Sequence, residues 1–347
     1  MGVPVANVAT AEVNPICYSS TRDLLRVRDL TVHFSQEGHE FTAVNHVSFD
    51  IASGEIVGLL GESGCGKTTI ALSLLSLLPD AARVSCNSIF FHGRDLCLLE
   101  ESELREVRGA EVAIIYQDSS VLNPVIRVGN QVSEVLRAHR KCTKRQAREE
   151  AHAIFSAIGL RDFDRIYNAY SHQLSGGQRQ RIAIAQALIC KPRLVIADEP
   201  TASVDRNTAR EILDFIKQMK ESCGTSFLFI SHDPATLAAI ADRIIVMYAG
   251  QIVESGPLGD LYSQPLHPYT DALLQCTPRR FMPKDSGQEK SHLPCIPGKA
   301  PDPLTVVPGC SFSSRCKDRM EVCDLRRPVL IEISSCRSVR CFKYEVG

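Results

Sequence analysis

A chain of 347 residues, 44% hydrophobic and 23% charged, is long enough for one large domain plus a smaller one, or for two modest domains, and its balance excludes disordered and collagen-like classes. A formal net charge of -1 without a long basic run argues against nucleic acid as the partner. Apolar runs such as 70–78 fall far short of the ~20 residues of a membrane helix, and residues 1–15 lack the basic start and hydrophobic segment of a signal peptide, so the chain is expected in the cytoplasm. In that reducing compartment most of the fourteen cysteines are expected to be small buried hydrophobes, but six of them crowd between Cys295 and Cys341.

Residues 1–22 carry no periodicity and read as a flexible tail. Alternating residues over 24–34 predict a strand, 35–40 a polar turn, and 41–51 the returning antiparallel strand. Such a pair sets an aromatic ring near any bound base, with Phe34 the first choice for stacking and Phe41 the second, although either ring serves equally well as core. An apolar run over 56–60 then leads into Gly61-Glu62-Ser63-Gly64-Cys65-Gly66-Lys67-Thr68, with Thr69 following, and 70–78 has helical spacing. Strand, tight glycine loop and helix are the context of a phosphate-binding P-loop. Its glycines let successive N–H groups point inward, and the helix N-terminus favours an anion. Lys67 would reach the β- and γ-phosphates, and the Thr68 hydroxyl would ligate Mg²⁺.

Residues 79–109 look irregular, and 111–116 reads as a strand ending at Gln117. The signal over 128–170 is mainly helical, with 141–150 charged on every side as on a solvated helix face. Helices at 176–190, 207–222 and 234–240 alternate with strands at 194–197, 226–231 and 243–248. That alternation predicts a mostly parallel sheet with helices on both faces. Ligands of such sheets sit beyond the carboxyl ends of the strands, where Gly61, Gln117, Asp198 and Ser231 fall. From about 263 a Pro-rich and Cys-rich segment begins, whose prolines, among them Pro265, Pro278, Pro283 and Pro294, exclude a long helix; it is expected to be a separate C-terminal module, 263–347.

The strand at 194–197 ends in Asp198-Glu199, an acidic pair that would emerge beside the P-loop. Asp198 would hold Mg²⁺ through water, and Glu199 would orient or deprotonate an attacking water. Leu174-Ser175-Gly176-Gly177-Gln178, just ahead of a helix, is a second phosphate reader, more than one nucleotide can use on one surface. The order of Lys67, Gln117, 174–178, Asp198-Glu199 and His232 resembles the ATP-binding cassette (ABC) family over roughly 24–256. The resemblance implies an α/β P-loop NTPase over 23–262, with a RecA-like core, an antiparallel β subdomain and a helical subdomain at about 118–184. It also implies that two cassettes pair head to tail, so that Ser175, Gly176, Gly177 and Gln178 of one complete the ATP site of the other. Gln117 would then sense Mg²⁺ and link to membrane subunits, Asp205 would lie in the subunit-facing loop of the ATP site, and His232 would contact the γ-phosphate. Val204 stands where the family usually has Leu.

Lys67 and Leu174 are only 107 positions apart, too close for the inserted coiled coil of DNA-repair cassettes, and a single P-loop excludes the two-cassette translation type. The runs Gln264-Pro265-Leu266-His267-Pro268-Tyr269, Ile296-Pro297-Gly298 and Gly309-Cys310, with Ser119 to Pro124, are similar to the oligopeptide, dipeptide and nickel importer ATPases. That similarity implies an ATPase working at the cytoplasmic face of the inner membrane with two membrane permease subunits, a second, identical or related, cassette and an extracytoplasmic solute-binding protein. A soluble regulator is the alternative from another class. Cys310, Cys316, Cys323 and Cys341 have five, six and seventeen residues between them, unlike the usual zinc pairs, whereas members of this importer family carry a [4Fe-4S] cluster at similar positions. Zinc and free thiols stay open as alternatives, with Cys336 or Cys295 as substitute ligands.

Overall fold

The computed structural model describes residues 23–36, 39–117, 121–276, 295–305 and 307–345. The expected N-terminal tail, Ser119 and Ser120, and the prolines Pro278, Pro283 and Pro294 lie outside the described residues.

The chain opens with β1 (Asp23–Gln36) and β2 (His39–Ala52), paired antiparallel with Phe34 opposite Phe41, as the alternation predicts. Strand β3 (Ile56–Leu60) and helix α1 (Lys67–Ser73) flank the P-loop. Helix α1 ends at Ser73, inside the apolar run that suggested 70–78. Ser76 takes a left-handed φ of 51° and the Leu77 N–H bonds back to the Leu72 carbonyl at 2.9 Å, which closes the helix end. The stretch that looked irregular holds β4 (Ala82–Ser85), β5 (Ser88–Phe91), β6 (Arg94–Asp95) and α2 (Glu101–Val107). Both β4 and β5 pair antiparallel with β1, completing a five-stranded sheet. Strands this short leave too few residues for a period to emerge.

Strand β7 (Val112–Ile115) leads into three helices, α3 (Val128–His139), α4 (Lys144–Ala157) and α5 (Phe163–Asn168), and then α6 (Gly176–Leu188). The charged run at the start of α4 is solvated, and its buried positions are Ala147, Ala151 and Phe155. Next come β8 (Leu194–Asp198), α7 (Arg206–Cys223), β9 (Ser226–Ser231), α8 (Pro234–Ala238), β10 (Arg243–Tyr248) and β11 (Gln251–Pro257). Beyond them lie α9 (Leu258–Ser263), α10 (Pro268–Gln275), α11 (Val322–Leu325), β12 (Ile331–Ser334) and β13 (Arg337–Val339).

The second sheet has the order β12-β13-β11-β10-β3-β9-β8-β7, parallel from β10 to β7. Its central strands are buried along their length, so alternate side chains enter two different cores. Ile56, Val195, Ala197, Phe227 and Phe229 pack with α3, α4, α6 and α7, while Val57, Leu194, Ile196, Leu228 and Ile230 pack with α1 and the antiparallel sheet. The C-terminal segment reaches this sheet: Glu254 and Ser255 of β11 pair with Val339 and Ser338 of β13. Among the described residues no helix is long and apolar enough to cross a membrane.

Candidate active site

Four neighbouring parallel strands, β3, β9, β8 and β7, end side by side, and each hands the chain to a polar residue. From β3 comes the P-loop. Gly66, the N-cap of α1, has a φ of 104°, and a Cβ there would meet the Ala43 carbonyl oxygen at 2.5 Å, so only glycine fits. A Cβ at Gly61 would lie 2.5 Å from the Met247 oxygen and 2.7 Å from the Cys65 Sγ. Lys67 is 6% exposed and its Nζ donates to the carbonyls of Gly61 at 2.8 Å and Glu62 at 2.9 Å, folding the side chain back over the loop. Cys65 is buried beneath it, and burial pushes its thiol pKa up, so it stays a protonated packing residue. Ser63 and Gly64 are exposed at the loop tip, with Thr69 one residue into α1 beyond Thr68.

From β8 come the acids. The Thr68 Oγ1 donates to the Asp198 Oδ2 at 2.7 Å, so the hydroxyl and carboxylate that a Mg²⁺ ion would need already converge. Asp198 is 4% exposed; burial, helped by the Glu199 charge, holds its pKa above the usual carboxylate range, against the opposing Thr68 hydrogen bond and the Lys67 charge. A divalent cation would relieve that penalty, and the donor chemistry fits it. Glu199 leaves the strand with a left-handed φ of 47°, a strained conformation for a non-glycine residue. Its backbone N–H is held by the Ile230 carbonyl at 3.0 Å. The turn sends its carboxylate between two neighbours: His232 Nδ1, after β9, lies 2.8 Å from Oε1, and Gln117 Nε2, after β7, lies 3.4 Å from Oε2. Residues far apart in sequence thus meet on one carboxylate.

The remaining expected residues stand apart from this group. Ser175 caps α6, accepting from the Gln178 N–H at 3.2 Å while Gln178 Oε1 accepts from the Ser175 N–H at 3.1 Å, a reciprocal capping box. Gly176 opens the helix, and a Cβ at Gly177 would meet the Thr208 Cγ2 at 3.4 Å. Asp205 caps α7 through the N–H groups of Asn207 and Thr208 and the Thr208 hydroxyl, and these bonds hold its carboxyl below the ordinary range. Phe34 and Phe41 are half-buried and stack on each other, with centroids 5.6 Å apart and planes at 17°, so the two candidates for base stacking form one aromatic surface.

Cys310, Cys316, Cys323 and Cys341 line a single pocket with His267, while Cys336 and Cys295 are exposed elsewhere. Burial pushes the Cys310 thiol up to about 11 and raises those of Cys316 and Cys341. Among the described residues no three His, Cys, Asp or Glu side chains come close enough to hold one metal ion. His267 is 2% exposed, caps α10 by accepting from the Tyr269 N–H at 3.0 Å, and is held neutral by burial, its pKa lowered to about 3, in line with a packing role.

Sequence reasoning missed Glu62 and its partners. Arg315 makes a two-point ion pair with Glu62 at 2.8 and 2.9 Å, and the Tyr269 hydroxyl accepts from the Glu62 N–H at 3.0 Å. Neither Arg315 nor Tyr269 sits in a spacing that announces a contact some two hundred residues away.

Residues 44–202 match the ABC transporter family, and residues 253–323 match the oligopeptide/dipeptide transporter C-terminal region. The chain is 42% identical to a probable peptide ABC transporter ATP-binding protein of Sinorhizobium fredii over 92% of this chain and 95% of that protein. It is 41% identical to a dipeptide transport ATP-binding protein of Bacillus subtilis, over 92% of this chain and 94% of that one. With an oligopeptide transport ATP-binding protein of Escherichia coli it shares 38% identity over 97% of each chain. Among solved structures it resembles a dimeric ATP-binding cassette in a post-hydrolysis state bound to ADP and Pi, with a TM-score of 0.62 and 25% identity, over 67% of this chain and 98% of that one.

Proposed function

Because the chain belongs to the ATP-binding proteins of ABC transporters, in their oligopeptide and dipeptide branch, we propose that Glu199 is the general base of its ATP hydrolysis and that the imported cargo is peptides. The chain is the ATPase subunit of an importer that acts with membrane permeases and dimerises as a cassette, and its relatives are transport proteins rather than soluble regulators. The convergence of Lys67, Thr68, Asp198, Glu199, His232 and Gln117 at the ends of four adjacent strands carries the mechanistic reading.

The P-loop N–H groups and Lys67 bind the phosphates, Lys67 exchanging two carbonyl partners for charged oxygens. Thr68 and Asp198 would hold Mg²⁺, which supplies charge neutralisation of the β- and γ-phosphate oxygens. Glu199 takes the proton of the water that attacks the γ-phosphorus, and the bond to the ADP oxygen breaks. His232 orients that carboxylate and reaches the γ-phosphate, and Gln117 positions it from the other side. Ser175 to Gln178 and Asp205 serve the partner cassette's nucleotide in trans, which suits an α6 N-terminus whose Ser175 and Gln178 bond each other. Phe34, with Phe41 behind it, offers the base a stacking face. The chain works from the cytoplasmic face of the inner membrane, fed by an extracytoplasmic solute-binding protein.

We propose further that Cys310, Cys316, Cys323 and Cys341 would hold a [4Fe-4S] cluster. The four thiols line one pocket, which favours this reading, but no three of them stand close enough among the described residues to hold a single metal ion, so it rests on the resemblance to the importer family. Equimolar iron and sulfide in anaerobically purified protein is the expected result, and their joint absence sinks it.

The deciding experiment tags the chain in its native cell and extracts it in mild detergent. Two multi-helix membrane proteins should accompany it, with a peptide-binding protein as their external partner. Recovery of soluble partners alone overturns the transport reading.

A further inference from the structure

The P-loop is held in place from the C-terminal region of the same chain. Glu62 is the second residue of the loop, and its own carbonyl is one of the two that hold the Lys67 ammonium. Its carboxylate is gripped at both oxygens by Arg315, whose side chain is only 5% exposed. Every nitrogen of that guanidinium is engaged, since Nε donates to the Pro297 carbonyl at 2.8 Å and Nη1 also reaches the Tyr248 hydroxyl at 3.2 Å. The Glu62 N–H is held from the same side by the hydroxyl of Tyr269 at 3.0 Å. Tyr248, Tyr269 and Phe312 pack together, with ring centroids 4.6 to 5.4 Å apart, and fix both anchors.

We propose that Arg315 is a positioning residue of the nucleotide site, setting the P-loop through Glu62 for entry of the triphosphate. Two physical effects lead there. First, a carboxylate within the phosphate-binding loop opposes a polyanion unless neutralised, and the two-point pair neutralises it. Second, a buried ion pair is a poor fastener compared with apolar contacts, whereas its geometry is demanding, so its value lies in register. A tie meant only to dock the C-terminal segment has Phe312 and the tyrosines already. The proposal requires no occupant of the thiol pocket.

The test measures ATP affinity and steady-state hydrolysis of the full-length chain in its membrane complex, for Arg315→Met, Arg315→Lys, Glu62→Gln and the Glu62→Gln/Arg315→Met double variant. Arg315→Met should raise the KM for ATP about tenfold, and Arg315→Lys, which keeps the charge but loses the fork, about threefold, with kcat at saturating ATP within about twofold of wild type. The double variant should bind ATP no worse than Arg315→Met alone, since the uncompensated carboxylate is gone. A purely structural tie predicts instead a lowered melting temperature with unchanged ATP affinity, and that result overturns the proposal. A double variant that binds ATP more weakly than Arg315→Met overturns it equally. Should Arg315→Met fail to fold, Arg315→Lys decides by the same KM readout.

Discussion

The nucleotide site and the thiol pocket are built by opposite means. In the first, backbone geometry does the placing: parallel strands end side by side, and the residue after each strand is delivered to the site by the register of the sheet. In the second, short and irregular segments do the placing: the Cys310 N–H donates to the Cys323 carbonyl at 2.7 Å, Cys323 lies in the one-turn α11, and Cys341 comes two residues after β13, so that with Cys316 they line one pocket. Chemistry can therefore be removed from the first without disturbing the fold, whereas a change in the second should act first on stability.

The largest expected effect belongs to Glu199→Gln. Loss of a general base should slow phosphate release by about a thousandfold while ATP binding and the melting temperature stay near wild type. Phosphate release beside nucleotide binding checks this, and residual turnover within tenfold of wild type would move the base elsewhere. The same substitution sharpens the contrast, because Gln keeps the volume of the side chain and its contact with His232 Nδ1.

Next in size is Phe312→Ala. Phe312 is 2% exposed, lies edge-on to Tyr248 at 5.2 Å and Tyr269 at 5.4 Å, and lines the thiol pocket. Truncating such a residue costs about 3 kcal/mol or more, so the chain should melt several degrees lower in a thermal scan. An unchanged melting temperature would mean that the C-terminal segment is held by something other than this aromatic cluster.

The same contrast explains what could be read in the sequence. Lys67, Gln117, Asp198, Glu199 and His232 announce themselves because each follows a strand or opens a helix, so a motif of a few residues contains both the chemistry and the geometry that aims it. Strands β8, β9 and β10 were legible for a related reason, being long apolar runs buried on both faces. Strands β4, β5 and β6 were not, since two to four residues carry no period, and their pairing with β1 is a tertiary choice. Nor did proline content reveal that β12 and β13 extend the sheet through β11. Arg315 was invisible for the strongest reason: its role depends on Glu62, a position that the P-loop pattern leaves unspecified, at a separation no local pattern spans.

The smallest predicted effect tests where the two regions meet. Tyr269→Phe removes the hydroxyl that accepts from the Glu62 N–H and leaves that backbone donor unpaired at the start of the P-loop. Burial pushes the Tyr269 phenol far above its ordinary range, so the group lost is a neutral hydroxyl and the change carries no charge of its own. An unpaired donor costs about 1 kcal/mol, which read as ATP affinity is a weakening of roughly fivefold. Tyr248→Phe is the matched control: its hydroxyl receives Arg315 Nη1 at the longer distance of 3.2 Å, and Arg315 retains both bonds to Glu62 without it. Isothermal titration should therefore find Tyr269→Phe clearly weaker for ATP and Tyr248→Phe within about twofold of wild type. Equal losses for the two would place the effect in the aromatic packing they share, and the hydrogen bond to the P-loop would then have no part in setting ATP affinity.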